Sequence, residues 1–283
     1  MFVIDAQVHT WDAGNPPPNH HQANAYPEDE LLADMAEAGV DAAILVPPTW
    51  DPNGDAPALR AARRYPDRFA VMGHVDFDHP MSAEQLADWA AQPGMLGVRM
   101  SFNRPDTRAR LIDGSADWLW DAAEEADVPL MILIPGLLPW GAELARSHPR
   151  LRIIVDHLAI PRGAKGAKAV EHFPELIALA RFPNVAVKAC GLPSYAQDEA
   201  YPYPSLHAPF ASVVEAFGAE RVFWGTDLSR MPGPYREAVT MITEDMDRLS
   251  EDQRRLVMGE GLARWLRWNP RAATVPDQPA RPA

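Results

Sequence analysis

The sequence predicts an α/β protein with a single (β/α)8 barrel (TIM barrel) domain over residues 1–268. Short runs rich in branched apolar residues alternate with stretches of helical spacing, which is typical of a parallel sheet with crossover helices. Eight such units are the number that closes a barrel, and a barrel of about 250 residues fits the length of the chain. An open doubly wound sheet is the alternative fold. No Gly-x-Gly-x-x-Gly pattern follows the first strand to support its dinucleotide-binding version.

The predicted strands are short and mostly apolar, as expected of strands that are covered on both faces. In chain order they run Phe2–His9, Asp41–Pro47, Phe69–Asp76, Leu96–Ser101, Pro129–Ile134, Leu151–His157, Asn184–Gly191 and Arg221–Asp227. The predicted helices run Asp29–Ala38, Ala56–Tyr65, Ser82–Ala91, Ser115–Ala126, Gly141–His148, Lys168–Arg181, Leu206–Phe217, Pro234–Asp247 and Glu251–Arg267.

Proline marks the ends of several of these helices. Pro66, Pro149 and Pro183 precede strands three, six and seven, where proline stops a helix and favours an extended chain. The recurrence favours one continuous barrel without an internal linker. Residues 269–283 are rich in Pro, Ala and Arg, and we expect them to form a disordered tail.

Composition excludes several functional classes. The net charge of −13 repels phosphate backbones, so we expect no nucleic-acid partner. No uncharged apolar run reaches about 18 residues, so we expect no membrane span. The single cysteine, Cys190, excludes an internal disulfide, and no signal peptide is visible, so we expect a cytoplasmic protein. The oligomeric state stays open, and a homo-oligomer is compatible with the sequence.

Polar residues interrupt the apolar strands near their carboxyl ends, which is where barrel enzymes place catalysis. They are Asp5, Gln7, His9, His74, Arg99, His157, Lys188 and Asp227. Since residues i and i+2 of a strand share a face, Asp5, Gln7 and His9 are predicted to point together into the barrel. The same rule places His157 inside the barrel and turns Asp156 the other way.

Several of these segments resemble the amidohydrolase superfamily. Ile4-Asp5-Ala6-Gln7-Val8-His9 resembles its Asp-x-His-x-His opening. Val155-Asp156-His157-Leu158, Gly97-Val98-Arg99, Asn184–Leu192 and Phe217–Asp227 resemble segments of its amidohydrolase-related branch. That branch holds lactonases, such as 2-pyrone-4,6-dicarboxylate lactonase, and metal-dependent decarboxylases. The matches run in the family's order from residue 2 to about residue 266, and together they are specific.

The resemblance implies a hydrolase with His9, His157 and Asp227 at its centre, either as catalytic groups or as ligands of one divalent ion such as Zn²⁺ or Mn²⁺. The chain departs from the pattern at Gln7, where the family carries a histidine. A neutral amide oxygen is a poorer zinc ligand than an imidazole nitrogen. The departure favours a metal-free site over a metal site.

In this interpretation Asp227 activates water, while His9 and His157 polarise the substrate carbonyl, directly or through a metal. Arg99 and Lys188 would hold a substrate carboxylate, and Gln7 would fix the water or the substrate by hydrogen bonds. Each assignment has a structural alternative. Asp227 could pair with Arg99 or Lys188, those two cations could pair with Asp5, and the histidines could be hydrogen-bonded core residues.

Residues just beyond other strand ends could line the pocket. His74, Trp11 and Tyr195 are candidate substrate-binding residues, as are Trp50 and Trp140. For each, packing within the loops is the alternative. His20 and His21 lie in a proline-rich loop that is either exposed or a flap over the site, and Cys190 is expected to be a small core residue.

The sequence therefore predicts a hydrolase that opens a lactone or similar cyclic ester bearing a carboxylate. A metal-dependent non-oxidative decarboxylase of the same branch is the first alternative. A barrel that binds a ligand and has lost catalysis is the second.

Overall fold

A computed structural model describes residues 1–18, 20–21, 25–196 and 198–272 and shows one eight-stranded parallel sheet. The strands follow chain order, β1-β2-β3-β4-β5-β6-β7-β8, so each crossover returns to the neighbouring position. They are β1 (Ile4–Val8), β2 (Ala42–Leu45), β3 (Phe69–Gly73), β4 (Met95–Ser101), β5 (Leu130–Leu133), β6 (Ile153–Val155), β7 (Val185–Cys190) and β8 (Val222–Gly225). The eight predicted strands and the predicted (β/α)8 class are confirmed.

The crossover helices surround the sheet. They are α1 (Glu28–Ala38), α2 (Ala56–Arg64), α3 (Ala83–Ala90), α4 (Pro105–Ile112), α5 (Asp117–Glu125), α6 (Leu138–Ser147), α7 (Ala167–Val170), α8 (Phe173–Ile177), α9 (His207–Phe217), α10 (Tyr235–Thr243), α11 (Glu251–Arg255) and α12 (Gly261–Leu266). None of the helices in the described ranges is long and apolar enough to span a membrane.

Three helical predictions differ from the structure. Helix α4 was not predicted, because none of its residues is buried and it has no apolar stripe. The predicted helix Lys168–Arg181 is divided into α7, α8 and a 3₁₀ turn, since Pro174 in the first turn of α8 cannot continue a helix from α7. The last predicted helix contains a π-helical turn, Leu256–Glu260, between α11 and α12.

Side chains from alternate strand positions fill the barrel. One apolar cluster takes Ile4 and Ala6 from β1, Ile154 from β6 and Phe223 from β8, together with residues of β2, β3, β5 and β7. Val3, Val8, Ile153 and Val155 belong instead to the larger cluster between the sheet and the helices. Leu262 and Leu266 of α12 join the inner cluster and cover one end of the barrel.

A buried carboxylate joins β1 to β8. Asp5 accepts hydrogen bonds from the backbone nitrogen of Thr226 at 2.9 Å, from its Oγ1 at 2.5 Å and from Tyr235 Oη at 2.7 Å. The backbone nitrogen of Asp227 donates to the carbonyl of Gln7 at 3.0 Å. Asp5 thus bonds along the seam where the sheet closes.

The prediction that Asp5 points into the mouth with Gln7 and His9 is wrong. The pairing of β1 with β2 shifts register between Asp5 and Val8, and this irregularity breaks the alternation of faces. Ile4 and Ala6 therefore face the barrel interior, and Asp5 reaches Tyr235 on α10 instead.

The end of the chain is only partly described. Pro270–Ala272 form a short 3₁₀ turn in which Pro270 is buried. Residues 273–283 of the predicted tail lie outside the described residues, and their disorder stays a prediction.

Candidate active site

Asp227, His9 and His157 meet beyond the carboxyl ends of β8, β1 and β6. His9 Nε2 lies 3.0 Å from Asp227 Oδ1, and His157 Nε2 lies 3.9 Å from Asp227 Oδ2. All three residues are buried, with at most 8% of their surface exposed. They lie far apart in the sequence, and the barrel brings them to one rim.

Unusual backbone angles position two of these side chains. Asp227 has φ +52°, and His157, Leu158 and Ala159 have φ values of +51°, +51° and +53°. Left-handed conformations of non-glycine residues cost about 1–3 kcal/mol each and concentrate at functional sites. The strand β6 ends at Val155, so the left-handed turn, and not strand alternation, brings the His157 side chain into the mouth.

His9 lies between two acceptors. Its Nδ1 donates to the carbonyl of Val46 at 2.6 Å, and its Nε2 faces the carboxylate of Asp227. A ring with one proton can donate to only one of these two acceptors at a time. Burial opposes ionisation of Asp227, but the hydrogen bond from His9 and the nearby positive charges outweigh it and hold the pKa of Asp227 well below its usual range.

His157 is buried between a carbonyl and the Gln7 amide. Its Nδ1 donates to the carbonyl of Cys190 at 3.3 Å, and its Nε2 accepts from the amide nitrogen of Gln7 at 3.2 Å. Burial lowers the pKa of His157 to about 4, so its ring is neutral at pH 7. A neutral ring with the proton on Nδ1 has no Nε2 proton with which to polarise a substrate carbonyl.

Gln7 lies between the two imidazoles. Its amide nitrogen is 3.2 Å from His157 Nε2 and 3.5 Å from His9 Nε2. Its Oε1 is buried and has no hydrogen-bond partner among the described residues. A buried acceptor of this kind costs stability unless something donates to it, so a water or a substrate hydroxyl is the expected donor.

The two imidazoles and Asp227 have the chemistry of zinc ligands, and their Nδ1 bonds to carbonyls are typical of ligating histidines. Gln7, however, directs an amide donor at both Nε2 atoms, where a cation would have to bind. Across the described ranges, no group of three or more His, Cys, Asp or Glu is spaced to hold a metal. The arrangement as it stands does not fit a bound cation.

Arg230 belongs to the site although the sequence did not predict it there. Its Nη1 lies 2.9 Å from Asp227 Oδ2, and 29% of its side chain is exposed. A 3₁₀ turn, Leu228–Arg230, begins directly after Asp227, and side chains three residues apart align on such a turn. A tight turn after Asp227, had it been predicted, would have placed the Arg230 side chain beside the carboxylate.

Arg99 and Lys188 are engaged by Asp156. Lys188 Nζ lies 2.8 Å from Asp156 Oδ1, and Arg99 Nε lies 3.0 Å from Asp156 Oδ2. Asp156 and Lys188 have no exposed surface. Burial opposes ionisation of Asp156, but the two cations outweigh it and lower its pKa.

Two expectations are therefore corrected. Asp156 does not turn away from the barrel, because Ile154 and not Val155 faces inwards, and Asp156 follows Ile154 on that face. The cations pair with Asp156, and not with Asp5 or Asp227 as the alternatives proposed. The fully buried Lys188 cannot contact a substrate in this arrangement.

His20 and His21 contact residues beside the mouth. His20 Nδ1 lies 2.6 Å from Ser229 Oγ, and the backbone nitrogen of His21 donates to Ser229 O at 2.7 Å. The His20 ring lies 4.5 Å from the ring of Trp50, which in turn lies 5.8 Å from that of His9. These contacts are compatible with the flap alternative, which stays a prediction for the loop Asn15–Tyr26.

The other candidates pack within the rim. Trp11 is fully buried against Tyr26 and Trp50, so packing describes it better than substrate contact. His74 Nδ1 lies 3.2 Å from Asp55 Oδ1, and its Nε2 has no partner within the described residues.

The remaining residues singled out in the sequence are buried or packed within the fold: Tyr195, Trp140 and Cys190. Tyr195 is buried, and its phenol interacts electrostatically with Arg230 and Asp227. Trp140 packs against Phe102 and Trp120. Cys190 is fully buried in the inner cluster, and burial raises the pKa of its thiol.

Comparisons with known proteins agree with this architecture. Residues 4–268 match the model of the family described as Amidohydrolase (Amidohydro_2). An L-fucono-1,5-lactonase from Burkholderia ambifaria is 30% identical over 254 residues, which are 83% of this chain and 83% of that protein.

Solved structures share the fold at lower identity. An amidohydrolase from Burkholderia multivorans with bound zinc is 22% identical, with a TM-score of 0.76 over 95% of this chain and 100% of that one. A 5-carboxyvanillate decarboxylase from Novosphingobium aromaticivorans, complexed with manganese, is 16% identical, with a TM-score of 0.65 over 94% of this chain and 96% of that one. The neighbours thus include metal-bound proteins. The chain belongs to the amidohydrolase family and is a (β/α)8 barrel hydrolase.

Proposed function

We propose that this hydrolase opens the ring of a small lactone by adding water. The observation that carries the proposal is the ionised Asp227, held by His9 and Arg230 at the rim, with the unpaired Gln7 Oε1 nearby. The relative from Burkholderia ambifaria, named for a lactone, supports the same reaction class.

The residues of the site have distinct roles in this proposal. Asp227 accepts a proton from the attacking water and returns it to the ring oxygen when the ester bond breaks. Gln7 Oε1 accepts the second hydrogen of that water. His9 keeps Asp227 ionised, while His157 orients Gln7 by accepting from its amide nitrogen.

The substrate is proposed to be a neutral, hydroxylated lactone. The two cations that the sequence predicted to hold a substrate carboxylate, Arg99 and Lys188, are buried and paired with Asp156. This revises the carboxylate expected from the sequence. It agrees with the name of the lactonase relative, since a fuconolactone carries hydroxyl groups and no carboxylate. A metal-free site, a cytoplasmic location and self-association remain predictions of the sequence.

A substrate panel tests the proposal. Purified protein is assayed by acid release in weak buffer against neutral sugar lactones, carboxylated lactones and hydroxybenzoic acids, and the last group is also monitored for CO2. We expect saturable opening of at least one neutral lactone. Release of CO2 from a hydroxybenzoate would favour a decarboxylase. Ligand binding without any turnover would favour a barrel that has lost catalysis.

A further inference from the structure

Opening a lactone requires a donor for the negative charge that develops on the carbonyl oxygen. The two imidazoles do not supply it. His9 directs its nitrogens at Val46 O and the Asp227 carboxylate, and His157 Nε2 accepts from Gln7. Neither ring therefore has an N–H donor free for the carbonyl oxygen of a substrate.

The interior cations do not supply this donor either. Lys188 has no exposed surface, and its Nζ lies against Asp156 and Met131. Arg99 directs its Nε at the same carboxylate and has only 10% of its side-chain surface exposed. Burial therefore keeps both cations from a ligand at the mouth.

Arg230 differs from both. Its guanidinium contacts Asp227 through Nη1 at 2.9 Å and retains 29% of its side-chain surface. A guanidinium has five N–H donors, and one contact with a carboxylate leaves several for a ligand. The turn Leu228–Arg230 is bonded to Asp227 through the backbone nitrogen of Arg230, at 2.8 Å, which fixes the two side chains beside each other.

We propose that Arg230 is a catalytic residue that binds the carbonyl oxygen of the lactone and stabilises the oxyanion. This inference rests on the proposed function. Water oxygen attacks the carbonyl carbon, its proton passes to Asp227, and the carbonyl π electrons move to the oxygen that Arg230 holds. When the C=O bond re-forms, the bond from carbon to the ring oxygen breaks, and the ring oxygen takes the proton from Asp227. The product is the hydroxy acid, which then ionises.

The test compares Arg230→Gln, Arg230→Lys and Arg230→Ala with wild type on a lactone that wild type opens. Removing one oxyanion donor costs about 10²–10³-fold in kcat, and we expect this loss for Arg230→Gln across the whole pH range. We expect Arg230→Lys to retain more activity than Arg230→Gln, and added guanidinium ion to restore part of the rate of Arg230→Ala. Arg236→Gln, an exposed arginine on α10, is the matched control and should keep wild-type rates.

The outcomes separate the possible roles. If Arg230→Gln reaches the wild-type rate at alkaline pH and loses activity only at low pH, Arg230 merely keeps Asp227 ionised, and the proposal is overturned. Loss of activity without any guanidinium rescue also overturns it, because a purely structural arginine gives that result. A wild-type protein that opens no lactone removes the proposed function and this inference together, whereas an active Arg230→Gln variant removes only the inference.

Discussion

The buried ion pairs between Asp156 and its two cations can be tested by removing the charge of Lys188. In Lys188→Met a side chain of similar length loses its charge, while Asp156 remains fully buried and keeps only Arg99 at 3.0 Å. Breaking a buried ion pair by removing one partner costs about 3–5 kcal/mol. Because Arg99 remains, we expect a loss near the lower limit, about 3 kcal/mol in the free energy of unfolding at pH 7.

Urea unfolding monitored by tryptophan fluorescence and circular dichroism measures this loss. Lys165→Met, which removes an exposed lysine, is the matched control and should change stability little. The double variant Lys188→Met/Asp156→Asn leaves Arg99 without its carboxylate, so it should be no more stable than Lys188→Met.

The stability that Asp156 and its two cations contribute depends on pH. Two cations lower the pKa of Asp156, so the stability they contribute is present above the ordinary aspartate pKa and is lost as pH falls through the folded value. The stability gap between wild type and Lys188→Met should therefore shrink in acid. A gap below about 1 kcal/mol at pH 7, or a double variant more stable than Lys188→Met, would contradict this prediction.

Three further predictions follow from neighbouring contacts. Burial raises the pKa of Asp5 to about 6, so its contribution to stability is full below pH 3.8 and is lost as pH rises through 6. The loss amounts to about 3 kcal/mol in the free energy of unfolding. Thermal unfolding from pH 4 to 7 should show this decrease for wild type and not for Asp5→Asn. His20→Ala should raise KM severalfold with a smaller effect on kcat, because it frees the flap from Ser229 and Trp50; an unchanged KM would contradict the flap. Gln7→His should bind roughly one Zn²⁺ per chain by elemental analysis while wild type binds none tightly, and stoichiometric zinc in the wild type would contradict the metal-free site.

The sequence was sufficient to predict the barrel. Its strands are short apolar runs separated by prolines such as Pro66, Pro149 and Pro183, and both signals are local. Helix α4 could not be predicted, because it lies on the surface with no buried residue and its sequence has no apolar periodicity.

The alternation of faces along a strand was not sufficient to predict where the side chains at the rim point. The register shift in β1 separates Asp5 from Gln7 and His9. Asp156 follows Ile154 on the inner face of β6, and the left-handed turn that comes next brings His157 to the mouth as well. Such backbone irregularities have no simple sequence signal at non-glycine positions, so the residue types of the site were predictable and their partners were not. Arg230 was missed for the same reason, since it depends on the turn at Asp227.

The turnover of Asp227→Asn on a neutral lactone that wild type opens tests most directly whether Asp227 is the catalytic base. We expect kcat to fall about 10³-fold with the fold intact by circular dichroism, because the amide cannot accept the proton from water. Turnover within about threefold of wild type would contradict the assignment of Asp227 as the base, and the proposed mechanism with it.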